Sequence, residues 1–426
     1  MSQHLVKPNA LLALVVLALA ACSSSSTPDS DGGTPASDGG TSPDGGTGNQ
    51  LNATFDPGFT KTTPNKPGSI EVTISGETLG ENGLPFQPVN AGDPVFVDGW
   101  NLTFQKFIVV VGNVRLGPNA TQSSVWNQVS APVATKAGPY VVDVHRLVKN
   151  GTNGFIGSDG ESPAGALFKW DAQDSGQPFD TGTRYSFTYD VVPAKFPATQ
   201  VNLAADEFPI YDQMVAHGWT KYLEATATYA GTGTFADAAI QAKFAAMPKT
   251  VHFTFGWNDA ASYVNCVNAD FGDGEDLANR GVQTNTNGAV VAQITLHVDH
   301  LFWDKLLQEG TPLRFDPIAA WAPADTSTAP LSLNTLATKP LATTFSDGTP
   351  LPDRAPVQNV PGGYTSDQTN PNQVTLDLNG VPSANIKGLA NFMAFGAQSQ
   401  MHLNADGLCF VTGQHASDPW FAPNVQ

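Results

Sequence analysis

Alternating hydrophobic and polar residues predict β-strands along most of the chain after residue 50. In SIEVTISG, Ile70, Val72 and Ile74 alternate with polar residues, which is the period of a strand with one buried face. The longest such stretch, FVDGWNLTFQKFIVVVGNVRLG, changes phase at Gln105 and Lys106. A β-bulge at these two residues accounts for the change, because a bulge inserts one extra residue into a strand.

Further strands and helices follow from the same patterns. The segments PYVVDVHRLV, TRYSFTYDVV, KTVHFTFGW and AVVAQITLHVD each predict a strand. The clearest helix is DAAIQAKFAAM, which is rich in alanine, starts with the capping residue Asp237 and stops at Pro248. HLFWDKLLQEG predicts a second, short helix with Asp299 as its N-cap.

Many short strands and few helices predict a mainly β fold. The expected architecture is an antiparallel β-sandwich or barrel-like body with a few short helices, built from residues 51–426. The turn-rich segment PAKFPATQ marks a soft boundary near residue 197 if the body divides into two subdomains. The sequence leaves open whether there is one domain or two.

The first 50 residues have a different pattern. Twelve apolar residues, Ala10 to Ala21, follow a polar start that contains Lys7. This run is shorter than the about 20 residues of a membrane-spanning helix, so residues 1–21 predict a signal peptide. Residues 22–50 consist of Cys22 and a segment rich in serine, aspartate and glycine, which has too few apolar residues to fold and predicts a disordered linker.

The end of the signal, LAAC, resembles the bacterial lipobox. This resemblance implies cleavage before Cys22, a diacylglycerol on its sulfur and a further acyl chain, such as palmitate, on its amino group. Two or more acyl chains anchor a protein stably, since each buried methylene contributes about 0.8 kcal/mol. Ser23 follows the cysteine as in lipoproteins sorted to the outer membrane, so we expect a lipid-anchored protein there, facing the periplasm or the surface. The alternative is ordinary secretion with Cys22 incidental.

Composition narrows the range of partners. The formal net charge is −18, and only 14% of the residues are charged. Nucleic-acid binding requires a basic surface, and an electrostatic grip on anionic lipid requires basic clusters, so both are excluded. The predicted membrane contact is the lipid anchor alone, and the protein or small-molecule partner stays open.

Two cysteines remain beyond Cys22. Cys266 and Cys409 lie in a chain predicted to enter an oxidising compartment, where disulfides persist, so we predict a bond between them. The alternative is two separate buried thiols. The sequence has no CxxC spacing that would favour a metal pair.

One cluster, LHVDHLFW, predicts a metal site. His297 and Asp299 lie on the same side of an extended strand, His300 starts the following helix, and His252 lies on the strand KTVHF. Imidazoles with one carboxylate suit copper or zinc. In the alternative interpretation, Asp299 caps the helix and the histidines form local hydrogen bonds. His402, like His145, is expected to be structural.

No nucleophile elbow, Walker loop or HExxH motif is present in the sequence, so no residue is assigned as catalytic. The leading hypothesis is a lipid-anchored envelope protein, not an enzyme, that binds a ligand, a partner or a metal outside the cytoplasm. One alternative is a copper- or zinc-dependent redox or hydrolytic enzyme that uses His297, Asp299 and His300. Another alternative is a purely structural surface lipoprotein.

Several segments carry a family resemblance. The LAAC signal, the Asp-Gly-Gly linker, FVDGW, VHFTFGW with YVNC, and LHVDHLFWDKL with LRFDPIAA together resemble uncharacterised secreted lipoproteins of the myxobacterial type. In addition, GNVRL and YVVDVHR are similar to segments of the methanobactin-associated MbnP-type periplasmic copper-binding proteins. The second resemblance implies a β-rich copper binder. That family uses a histidine and a modified tryptophan as ligands, no matching motif aligns here, and no ligand is carried over.

Overall fold

A computed structural model describes most of the chain after residue 50. The predicted signal peptide, Cys22 and the linker lie outside the described residues. None of the described helices combines the length and apolar character that a membrane span requires. The described residues are 51, 57–58, 66–88, 92–118, 120, 131–145, 155–156, 163–268, 280–308, 310–358, 360, 373–381 and 386–411.

Strands dominate the described residues, and the helices between them are short. The strands are β1 Ile70–Ser75, β2 Trp100–Gly117, β3 Ala134–Lys136, β4 Tyr140–Asp143, β5 Phe155–Ile156, β6 Pro163–Trp170, β7 Arg184–Val191, β8 Thr199–Val201, β9 Lys221–Tyr229, β10 Thr250–Trp257, β11 Ala261–Val264, β12 Val282–Gln283, β13 Val290–Leu296, β14 Leu331–Ser332, β15 Met401–Leu403 and β16 Phe410–Val411. The α-helices are α1 Glu77–Asn82, α2 Phe208–His217, α3 Ala238–Ala246, α4 Asp316–Ala319, α5 Leu333–Ala337 and α6 Leu389–Gln398. Short 3-10 helices cover Ala205–Glu207, Val298–Phe302 and Ala355–Val357.

The strands form two sheets. The smaller sheet has the order β15-β13-β1-β6-β5, and the larger one runs β14-β10-β9-β2-β7-β11-β16 with four further strands attached to it. Most neighbours are antiparallel, but β1 with β13, β10 with β14 and β4 with β8 are parallel, so both sheets are mixed. The sheets do not close into a barrel. The mainly β fold class is confirmed, with a sandwich-like body.

A continuous hydrophobic core holds the two sheets together. Val72 and Ile74 of β1 belong to the same buried cluster as Phe107 of β2 and Phe253 of β10. A smaller cluster lies on the other side of β2 and contains Met214 of α2. Because apolar side chains pack on both of its faces, β2 reads as a continuous apolar run from Phe107 to Val111.

Several predicted elements are confirmed residue by residue. β1 begins at Ile70, and the register of β2 against β9 shifts between Phe104 and Lys106, where the change of phase predicts a bulge. The Asp237 side chain accepts hydrogen bonds from the Ala239 and Ile240 amides and caps α3.

The predicted helix HLFWDKLLQEG is wrong. The structure instead has the 3-10 helix Val298–Phe302, whose N-cap position is His297, and Trp303 then leaves it with an extended backbone. Trp303 forms a bridge with Leu313, so a tertiary contact ends the helical turn. Asp299 lies inside that turn and not at its start.

Strands from both sides of residue 197 share the larger sheet. Both β7, which precedes this position, and β9, which follows it, pair with β2. The described residues therefore do not divide there. A disulfide joins Cys266 to Cys409 and fixes the segment between β15 and β16 to the end of β11.

Candidate metal centre

Strand pairing brings three histidines together at one end of the smaller sheet. His297 directly follows β13, and His300 lies one 3-10 turn later. β15 runs antiparallel to β13 and sets His402 opposite Thr295. The His297 amide continues the ladder by donating a hydrogen bond to the Gln400 carbonyl, 2.8 Å away. His402 therefore lies beside His297, although more than one hundred residues separate the two along the chain.

The three imidazoles form a compact buried group, which we call the histidine cluster (His297, His300 and His402). One ring nitrogen from each residue lies within 4.8 Å of those of the other two. The His297 and His402 rings stack with centroids 4.1 Å apart, and the His300 ring stands edge-on to both. The exposed fractions are 8%, 2% and 2%, respectively.

Ser399 orients two members of the cluster. Its hydroxyl donates a 2.8 Å hydrogen bond to the Gly396 carbonyl, so it accepts from Nδ1–H of His300, 3.1 Å away. Its backbone carbonyl accepts from Nε2–H of His402 at 3.1 Å. These contacts assign the neutral tautomers in which Nε2 of His300 and Nδ1 of His402 carry the lone pairs. A metal-binding histidine is held in the same way by a hydrogen bond to its other nitrogen.

Burial keeps these two imidazoles neutral. It lowers the pKa of His300 to about 3, with a further lowering by His297 and an opposing effect of Asp299. Burial also holds the pKa of His402 well below its usual value, and both neighbouring histidines add to the shift. The neutral forms carry the lone pairs that a metal requires, so protons do not compete for these nitrogens near pH 7.

A buried ion pair supports the segment that carries Ser399 and His402. The Lys221 ammonium, which has no exposed surface, donates to the Asp259 carboxylate at 2.7 Å and to the Ala397 carbonyl at 2.5 Å. Gln400 Oε1 lies 3.4 Å from the same nitrogen. Ala397 is in the last turn of α6, so Lys221 ties the end of this helix to β9 of the larger sheet.

Close packing of α6 against the His300 turn requires a glycine. A Cβ atom on Gly396 would lie 2.5 Å from the His300 carbonyl oxygen, a distance at which the backbone must shift. Trp303 also packs against His300, with its ring centroid 3.6 Å from that of His300. Helix, serine and tryptophan together hold the His300 side chain in one orientation.

The structure brings only part of the predicted cluster together. His297 and His300 converge, but Asp299 accepts a 3.1 Å hydrogen bond from Nε1 of Trp303. His252 lies on β10 of the larger sheet, where its Nδ1 pairs with the Thr226 hydroxyl at 2.9 Å, and it is not part of the histidine cluster.

His402 is the member of the site that the sequence analysis misses. The sequence predicts a structural role for it, as for His145, whose Nδ1 lies 2.8 Å from the Gly80 carbonyl oxygen. The pattern MHL, with a histidine between two apolar residues, is a short strand signal, but it does not indicate which strand is the neighbour.

Three imidazoles at this spacing, two of which burial keeps neutral, are a donor set for a transition metal. Histidine nitrogens bind zinc at about 2.0–2.1 Å and also suit copper. Ser399 fixes the tautomers of His300 and His402. The lone pair of His300 therefore lies on Nε2 and that of His402 on Nδ1, the ring nitrogens that do not bond to Ser399. The residues therefore fit a copper or zinc ion.

Comparisons with known proteins assign no family. No family model, no curated protein and no solved structure matches the chain. The functional proposal therefore rests on the chemistry of the histidine cluster and on features of the sequence.

Proposed function

We propose that this protein is a cell-envelope protein that binds a copper or zinc ion through His297, His300 and His402. The single observation that carries the proposal is the convergence of three buried imidazole nitrogens within 4.8 Å. A neutral imidazole is the form in which histidine binds a metal, and Ser399 holds two of these rings by hydrogen bonds to their other nitrogens. The resemblance of GNVRL and YVVDVHR to copper-binding proteins favours copper as the first metal to test.

The burial of the cluster favours binding over hydrolysis. A hydrolytic metal needs an open coordination position that substrate and water can reach. His300 and His402 are each 2% exposed, and Trp303 lies against the His300 ring. A metal held at this depth is shielded from large substrates, which suits storage or transfer of the ion.

The predicted location, anchored to the outer membrane, is part of the same proposal. Acylation of Cys22 would attach the β-rich body to the outer membrane through the linker, on the periplasmic or surface side. Cells grown with labelled palmitate should then label the wild-type protein and not a Cys22→Ser variant. A wild-type product without label, or one recovered from the cytosol, would contradict the anchor and leave the metal site to be judged separately.

The metal site is tested on the purified full chain by titration with zinc and copper ions and by elemental analysis. Wild type should bind metal stoichiometrically, and a His300→Gln, His402→Gln double variant should lose it. His252→Gln serves as the matched control, because His252 pairs with Thr226 outside the cluster. Absence of binding in the folded wild type, or equal binding by the double variant, would refute the proposal.

A further inference from the structure

One member of the histidine cluster lies nearer to the solvent than the other two. His297 is 8% exposed, whereas His300 and His402 are each 2% exposed. On the inner side, α6 packs against the His300 turn at Gly396, and Trp303 packs against the His300 ring. Among the described residues, an ion that comes from the solvent therefore meets His297 first.

Two carboxylates lie beside His297. Its Nε2 is 3.5 Å from Oε1 of Glu77 and 3.7 Å from Oδ1 of Asp406. Both separations exceed the about 2.7–2.9 Å of a charge-assisted hydrogen bond. Within the described part of the chain, the group whose ligand atoms all lie within 4.8 Å of one another contains the three histidines and neither carboxylate. Glu77 and Asp406 are therefore neighbours of the cluster and not members of it.

The pairing of the strands explains why both carboxylates reach the same imidazole. β1 and β13 are parallel, so the chain leaves both strands at the same edge of the sheet, with Glu77 after β1 and His297 after β13. The turn after β15 folds back towards this edge, because the Ala405 amide donates a 3.1 Å hydrogen bond to the Thr295 hydroxyl of β13. Asp406 is the next residue of that turn. The sheet thus brings together two carboxylates that are far apart along the chain.

Exposure falls in steps from the solvent to the cluster. The Asp406 side chain is 66% exposed, the Glu77 side chain is 19% exposed, and His297 is buried. Carboxylates near an opening attract a cation and raise its local concentration, and zinc accepts carboxylate oxygens as ligands. Because both carboxylates lie within 4 Å of the same imidazole nitrogen, an ion that they attract is delivered to His297.

We propose that Asp406 and Glu77 form the entry route of the proposed metal site, along which a divalent ion passes to His297 and then into the histidine cluster. This inference rests on the proposed function. The two carboxylates act on the ion in transit, so they speed both its arrival and its departure. A ligand of the bound ion would act differently, since its removal speeds departure and leaves arrival nearly unchanged.

Stopped-flow measurement of Zn(II) binding to the purified full chain tests the route. A chromophoric zinc indicator reports association, and an excess of chelator reports dissociation. A Glu77→Gln, Asp406→Asn double variant should bind Zn(II) at least about tenfold more slowly than wild type and should also release it more slowly.

The matched control is an Asp174→Asn, Asp212→Asn double variant. It makes the same change in net charge at two exposed aspartates, one on the loop before β7 and one on α2. At about 0.15 M salt, distant surface charges are screened, so its association rate should stay within about twofold of the wild-type rate.

Three outcomes count against the proposal in different ways. Equal association rates of the two double variants would overturn the entry route alone. Faster release from the Glu77→Gln, Asp406→Asn variant with an unchanged association rate would also overturn it, because that pattern belongs to a ligand of the bound ion. A folded wild type that binds no Zn(II) at equilibrium would refute the proposed function and the entry route with it.

The single variant Asp406→Asn keeps the test decisive if the double variant does not fold. A substitution at a side chain that is 66% exposed has little effect on stability. Its association rate should fall at least about threefold, because the outermost carboxylate of the route is lost. An association rate equal to that of Asp212→Asn would overturn the inference.

Discussion

Acid should destabilise the metal-free protein through His300. Burial lowers the pKa of this imidazole to about 3 in the folded state, whereas an unfolded histidine titrates near pH 6.5. Above about pH 6.5 both states are neutral, and the imidazole has no effect on the free energy of unfolding. As the pH falls from about 6.5 towards 3, the unfolded state binds a proton that the folded state does not, so stability is lost.

The size of the effect follows from proton linkage. At about pH 5 the solution is about 1.5 units below the unfolded pKa and still above the folded value. Each unit corresponds to about 1.4 kcal/mol, so His300 alone should remove about 2 kcal/mol of the free energy of unfolding. His402 acts in the same direction, because its pKa is also held well below the usual value.

The measurement must separate His300 from other titrating groups. Burial and the Asp316 charge raise the pKa of Asp98 to about 8, and this carboxyl acts in the opposite direction across the same pH range. Urea unfolding of chelator-treated wild type and His300→Gln at about pH 7.5 and about pH 5 isolates the histidine. The loss on acidification should be about 2 kcal/mol smaller in the variant. Equal losses in both proteins would refute the pKa assignment and with it the neutral buried imidazole.

Three further tests by substitution examine the structure around the cluster. Lys221→Met leaves the Asp259 carboxylate buried without its cation, so the free energy of unfolding measured in urea should fall by about 3–5 kcal/mol, and Asp259→Leu in the same chain should restore most of it. Gly396→Ala adds a Cβ that must displace the His300 turn, and Zn(II) affinity by chelator competition should fall at least about tenfold; an unchanged affinity would contradict the close packing. Replacing Cys266 and Cys409 by Ala removes a link across 143 residues and should lower the free energy of unfolding by about 2–5 kcal/mol, whereas an unchanged urea midpoint would contradict its stabilising role.

The elements that the sequence predicts well are those with local causes. The bulge in β2 shows as a change of phase within one strand, and the α3 cap depends on Asp237 and the next three residues. The disulfide prediction follows from the predicted oxidising compartment and from the number of cysteines, because only two remain after Cys22. Each of these inferences needs no knowledge of which distant strand lies alongside.

The parts that the sequence does not predict depend on distant neighbours. The sequence predicts Asp299 as an N-cap because this acidic residue precedes an apolar run. In the structure, the bridge from Trp303 to Leu313 ends the helical turn early, and the Asp299 carboxylate accepts a hydrogen bond from the Trp303 indole. His402 joins the site only because β15 pairs with β13. The parallel pairing of β1 with β13 likewise has no signature in either strand alone.

The supports around the histidine cluster decide what the proposed metal binding would do to this protein. In a zinc finger the metal supplies the folding free energy, because the apo chain has no sufficient core. Here a hydrophobic core spans both sheets, and Ser399 and Lys221 hold the cluster by contacts that need no metal. Metal then adds stability by mass action, about 4 kcal/mol when its free concentration is about 1,000 times the dissociation constant. Because little chain must be ordered on binding, most of the coordination free energy remains as affinity. The same body could therefore stay folded with and without the proposed ion, as reversible binding of that ion would require.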